Sequence, residues 1–173
     1  IFYDDPRVLY VSTHQYPFYP GTGAASDIGQ GAGTGFTLNV PLEAGAGDGD
    51  YLAVFTRLVL PVLDQFRPDL IVVSAGFDAH ERDPIAGMRM SAGGYARLTR
   101  ELCHASDRSC EGRLVLVTEG GYDLDALAAC LQLTARVASG EPLDLPAIED
   151  PATRRADAAT AAVRAAQARC WRL

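Results

Sequence analysis

Three short runs in the chain are apolar or small at nearly every position: RVLYVS at 7–12, LIVVSA at 70–75 and RLVLVT at 113–118. Unbroken runs of this length, rich in β-branched residues, predict strands covered on both faces, the habit of a parallel sheet. Between and after them the period lengthens. DYLAVFTRLVLPVLDQF (50–66) and SAGGYARLTRELCHAS (91–106) read as helices, the second with Ser91 as its N-cap. Pro61 should bend or divide the first, because it has no N–H to donate and crowds the preceding turn. DLDALAACLQLTARVAS (123–139) carries acids in its first turn, Arg136 near its end and Gly140 just beyond, as the helix dipole and a glycine C-cap ask. Strands alternating with helices give an α/β fold with right-handed crossovers. Residues 141–151 hold three prolines and are expected to form a loop; the Ala- and Arg-rich residues after them read as a helix packed on the same domain. The division is therefore a body over 1–140 and a connection plus terminal helix over 141–173.

Polar residues gather where each predicted strand ends: THQYPFYPGTG after the first, GFDAHERDP after the second, EGGYD after the third. In open α/β sheets the carboxyl edge of the strands is where ligands bind. Asp78 leaves the second strand at that rim, and Gly76 before it suits a close backbone approach; a lone Asp here also fits a cap or a loop-closing acceptor. Two glycines precede Tyr122, leaving its phenol free to swing over the same rim. With an ordinary pKa near 10, a phenol keeps its proton at neutral pH and can donate to a developing oxyanion. Asp78 and His80, two apart, point the same way in an extended segment and could share a metal, but two ligands make an incomplete site. His104 falls in mid-helix as a surface residue. The glycine-rich run at 21–36 matches neither phosphate-loop pattern and reads as a structured loop; GAGDGDY at 45–51 lacks the later Glu of a calcium loop.

Composition narrows the function. At 173 residues and 48% apolar content the chain can bury a single core. A formal charge of -7 argues against nucleic-acid binding and favours a cationic over an anionic substrate. Cys103, Cys110, Cys130 and Cys170 form no CxxC pair and are expected to be reduced. No apolar run approaches the ~20 residues of a membrane span, and the first residues lack the pattern of a secretory leader, so a cytoplasmic protein is expected. The start, IFYDDP without Met, reads as the middle of a longer chain.

In this order, RVLYVSTHQYPFYPGTG, GAGTGFTLNVPL, PDLIVVSAGFDAHERDPIAG and LVTEGGY resemble the histone deacetylase superfamily over about residues 1–140. Its bacterial deacetylase, acetoin-utilisation and acetylpolyamine amidohydrolase members are the nearest in pattern. The resemblance implies a three-layer, arginase-like α/β fold, here its C-terminal portion. It further implies a zinc-dependent hydrolase that removes acetyl groups from acetyl-lysine or a related acetylated amine. By resemblance Asp78 is the last of three zinc ligands, the other two being the Asp and His of an Asp-x-His motif expected upstream of Ile1; the tandem His pair that serves as general base and acid is also not in these residues, so they alone should be inactive. His80 falls at a variable position beside the ligand. Tyr122 matches the catalytic tyrosine, Tyr19 an aromatic wall of the acyl-lysine channel, Gly120 a contact for the substrate's methylene stem, and Ile85 the position of an acidic gatekeeper in polyamine-selective relatives. Ser12 and Thr13 match a potassium site near the zinc; Phe2, Asp5, Val8 and Phe36 match a second, more distant one. Oligomeric state stays open, a homo-oligomer included. Rival readings are a noncatalytic acyl-lysine-binding or protein-interaction module, a two-manganese arginase-type hydrolase, and an α/β domain without chemistry.

Overall fold

A computed structural model describes residues 1–145, 147–148 and 152–173, and in it four strands form two parallel pairs. Strand β1 (Tyr10–Gln15) runs beside β2 (Thr37–Leu42), with Tyr10 opposite Thr37 and Gln15 opposite Leu42. Strand β3 (Ile71–Ala75) runs beside β4 (Leu114–Thr118), with Ile71 opposite Leu114. The first strand starts three residues later than its apolar run, because Arg7 is held in a turn by Asp5, whose carboxylate accepts both the Arg7 backbone N–H and its guanidinium. Strand β2 was not among the expected strands. Asn39 and Pro41 interrupt its apolar pattern, yet its residues except Pro41 are buried, and the Asn39 amide donates to the Asp27 carbonyl at 2.9 Å.

Burial on both faces, expected of the apolar runs, does not hold for β3 and β4. The core takes Ile71, Val73 and Leu114 from one face, while Val72 is 61% exposed and Val115 and Val117 are exposed beside it. Among the described residues nothing covers that outer face.

Helix α1 (Asp48–Val54) passes into a wider turn over Phe55–Val59 and on into α2 (Leu60–Phe66). The Leu60 N–H reaches back to the Phe55 carbonyl, five residues away. The expected disturbance at Pro61 thus takes the form of a π-bulge just ahead of the residue that cannot donate. Ser91 caps α3 (Ala92–Cys110), its hydroxyl accepting the Gly94 N–H and donating to Asp48; the helix runs four residues past the expected end. Asp123 caps α4 (Leu124–Ala138) by accepting the Ala126 N–H, and Gly140 beyond its end has φ 80°. Helix α5 (Arg154–Gln167) lies against β2 and α1. Buried Asp50 holds Thr153, the α5 cap, through its N–H and hydroxyl, and Gln167 donates to the Thr37 carbonyl at 2.8 Å. The loop expected over 141–151 is irregular at 141–145; Pro146 and residues 149–151 lie outside the described residues. All four thiols are free, and among the described residues no helix is long and apolar enough to cross a membrane.

Candidate active site

The loops leaving β3 and β4 are joined at one rim. The Phe77 N–H donates to the Gly120 carbonyl at 2.7 Å, and the ring of Phe77 packs edge-on against Tyr95, 5.0 Å between centroids. Asp78 follows, half-buried, with its carboxylate against the backbone of Gly120. A Cβ at Gly120 would stand 2.9 Å from Asp78 Oδ2 and 3.1 Å from Cγ, so this position is glycine for want of room. The Asp78 carboxyl is held above the usual carboxylate range, chiefly by burial. Backbone N–H bonds from Asp78 itself and Ala79 oppose the rise, and the nearby charges of Asp83 and Glu119 add to it.

The rest of the loop is knit from within. Asp83 is 9% exposed. Its Oδ1 accepts the N–H groups of Ile85 (2.9 Å) and Ala86 (3.2 Å), and its Oδ2 accepts the N–H of Tyr122 (2.9 Å). Buried His80 spends Nδ1 on the Arg82 N–H at 3.1 Å, so that nitrogen closes the loop. Arg82 in turn reaches Asp123 and Asp125 at the start of α4.

The end of β1 joins the same region. Gln15 accepts the Gly87 N–H at 2.8 Å. The His14 ring bridges the Ser12 hydroxyl (2.9 Å) and the Gly23 carbonyl (3.0 Å), tying down the 16–23 loop. Tyr19 stands on that loop 90% exposed; Ile85 and Tyr122 are each more than half exposed on theirs. Asp83, Gln15 and His14 were not singled out from sequence as site residues. The Asp-Pro pair at 83–84 is the one local signal that a turn-forming carboxylate stood there.

The residues matched to potassium sites divide by strand. Ser12 and Thr13 lie in β1, paired with Asn39 and Val40. Phe2, Asp5 and Val8 make two successive turns, Asp5 N–H to Phe2 carbonyl and Val8 N–H to Asp5 carbonyl, while the Phe36 carbonyl accepts the Tyr10 N–H. Three of these four carbonyls already accept one N–H, leaving each a second lone pair. The Asp5 carboxyl is lowered to about 2, first through its hydrogen bonds from the Arg7 side chain and backbone.

Among the described residues, no three His, Cys, Asp or Glu side chains converge to hold a metal ion. Asp78 offers a single carboxylate, so these residues by themselves do not fit a zinc centre.

A family model described as the histone deacetylase domain matches residues 1–138. The chain belongs to the histone deacetylase family. It is 43% identical over 151 residues to a probable deacetylase of Archaeoglobus fulgidus, covering 87% of this chain and 42% of that protein. Two solved histone deacetylases superpose on nearly all of it. The histone deacetylase Clr3 gives a TM-score of 0.91 at 40% identity, covering 99% of this chain and 29% of that one. The HDA15 HD domain gives 0.89 at 35% identity, covering 99% and 46%. The α/β fold expected from the strand and helix pattern is thus that of the histone deacetylase domain, and the chain spans less than half the length of these relatives.

Proposed function

We propose that the complete protein is a zinc-dependent amide hydrolase that removes acetyl groups from acetyl-lysine or a related acetylated amine. The observation that carries this is the joining of the Asp78 and Tyr122 loops at one rim, through Phe77 to Gly120 and Asp83 to Tyr122. An amide carbonyl must be polarised before water adds to it, and the exposed Tyr122 phenol is a donor free to reach such an oxygen. A single oxyanion donor of this kind contributes roughly 3 kcal/mol. Asp78 would supply one ligand to a zinc completed by residues beyond these 173, and proton transfer to the leaving amine likewise belongs to groups elsewhere in the complete protein. Tyr19, Gly120 and Ile85 would border the entering acyl chain, the exposure of Tyr19 and Ile85 leaving them available to it. Potassium at the Ser12 and Thr13 backbone, and at Phe2, Asp5, Val8 and Phe36, would be structural. Net negative charge suits a substrate with a cationic amine, and a cytoplasmic location fits the reading.

The test is acetate release from an acetyl-lysine peptide by the complete protein, with and without a chelator, against Tyr122→Phe. Turnover that survives metal removal, or that is indifferent to loss of the phenol, would discard the mechanism. The 173-residue chain alone is expected to release none.

A further inference from the structure

The phenol of Tyr122 is attached to a backbone that has little reason to hold still. Gly120 and Gly121 precede it, the latter at φ 136°, and glycine restricts its own backbone dihedrals least of all residues. Among the described residues no side-chain hydrogen bond anchors the phenol. The arm is instead pinned at two backbone points: the Gly120 carbonyl by the Phe77 N–H, and the Tyr122 N–H by Asp83. Only the second lies on Tyr122 itself.

We infer that Asp83 is a positioning residue for Tyr122, a buried strap that sets the phenol relative to Asp78. The inference rests on the deacetylase reading above. Both carboxylate oxygens are committed, one to Ile85 and Ala86 in its own loop, the other to Tyr122, 39 residues away. The position therefore needs a group that accepts on both sides. Asparagine fails, since its NH2 would face an N–H whichever way it is turned. The neighbouring tie, Arg82 to Asp123 and Asp125, joins the same two segments, but Arg82 and Asp125 are exposed, and exposed ion pairs hold weakly. The buried carboxylate, with three N–H groups on its two oxygens, carries the constraint.

The experiment uses the complete protein and the variants Asp83→Asn, Tyr122→Phe and their double. Asp83→Asn should lower kcat by about tenfold to a hundredfold, the range a displacement of up to ~1 Å produces, with KM and zinc content within about twofold of wild type. In the Tyr122→Phe background the same change should lower kcat by less than about twofold. Hydrogen exchange at the Tyr122 amide should accelerate more than about tenfold in Asp83→Asn, while the Phe77 amide stays protected. An equal loss of kcat in both backgrounds, or an unchanged Tyr122 amide, overturns the inference. If Asp83→Asn does not fold, Asp83→Glu, which keeps both acceptors one methylene farther out, decides by the same two readouts. If wild type releases no acetate, or Tyr122→Phe is fully active, the deacetylase reading falls, and the exchange measurement still decides whether Asp83 holds Tyr122.

Discussion

Replacing Gly120 with alanine tests the tightest contact at the rim. The added methyl would lie 2.9 Å from Asp78 Oδ2, 3.1 Å from Cγ and 3.5 Å from Cβ. The shortest of these is about half an ångström inside the distance at which ordinary carbon contacts begin. Gly120 has no positive φ among the glycines that do, so alanine meets no backbone penalty and the whole effect falls on the carboxylate. Its short side chain can rotate away, which keeps the stability loss near the low end for overpacking, about 1 kcal/mol. A site, however, tolerates only ~0.5 Å of misplacement. Urea unfolding of the 173-residue chain should therefore show a small loss, while in the complete protein zinc content and kcat should each fall about tenfold or more. Wild-type zinc content and turnover in Gly120→Ala would show that Asp78 does not need its observed position. A loss of several kcal/mol would show that the contact is structural.

Two further outcomes follow from charge. Asp78 is raised in the fold, so its charged form is penalised: any stability it lends is full below the unfolded carboxylate range and is lost as pH rises through the folded value. Asp78→Asn in the 173-residue chain should then match wild type near pH 4 and equal or exceed it at pH 7, by denaturant midpoint, while abolishing zinc binding in the complete protein; marked destabilisation at pH 7 would contradict this. Asp5 has the opposite sign. Its carboxyl, lowered to about 2 by Arg7, adds stability present above the ordinary 3.8 and lost as pH falls toward 2. A carbon-13 titration should find the low midpoint, and Arg7→Ala should return it toward 3.8; an unmoved midpoint would mean Arg7 is not the cause.

The strands were legible where residues are apolar in succession, since β3 and β4 lie within their runs. They were illegible where a polar residue inside the element is satisfied at long range. Asn39 looks like a break in β2 until the Asp27 carbonyl, twelve residues back, is seen to take its amide. The same distance effect hid Asp83: an acid before proline in a charged loop reads as surface, and its partner on the EGGY arm is invisible to any local pattern. Apolar runs also report what a strand can bury, not what covers it, which is why the open face of β3 and β4 could not be read from Val72, Val115 and Val117. That Gly76, Asp78 and Tyr122 sit on the loops leaving β3 and β4 was legible because a strand's end and a pair of glycines are local signals. His80 is a metal-binding residue type, but its Nδ1 accepts from the loop's own backbone.

Three acids meet at this rim, and their partners distinguish them. Asp83 is buried, yet three N–H groups meet its carboxylate oxygens, so no polar atom there is left without a partner. Glu119 is exposed to water and accepts the Ser74 hydroxyl at 2.9 Å. Asp78 alone is both partly desolvated and raised by its two neighbours, its own backbone bonds falling short of the burial that opposes them. A protein that needed Asp78 only to close a loop would be better served by the arrangement it gives Asp83. A partly desolvated carboxylate pressed against a glycine that admits no methyl gains most from a cation arriving in front of it. On the proposed reading a cation at Asp78 would offset that penalty, since a bound ion reverses the sign of the local charge energy.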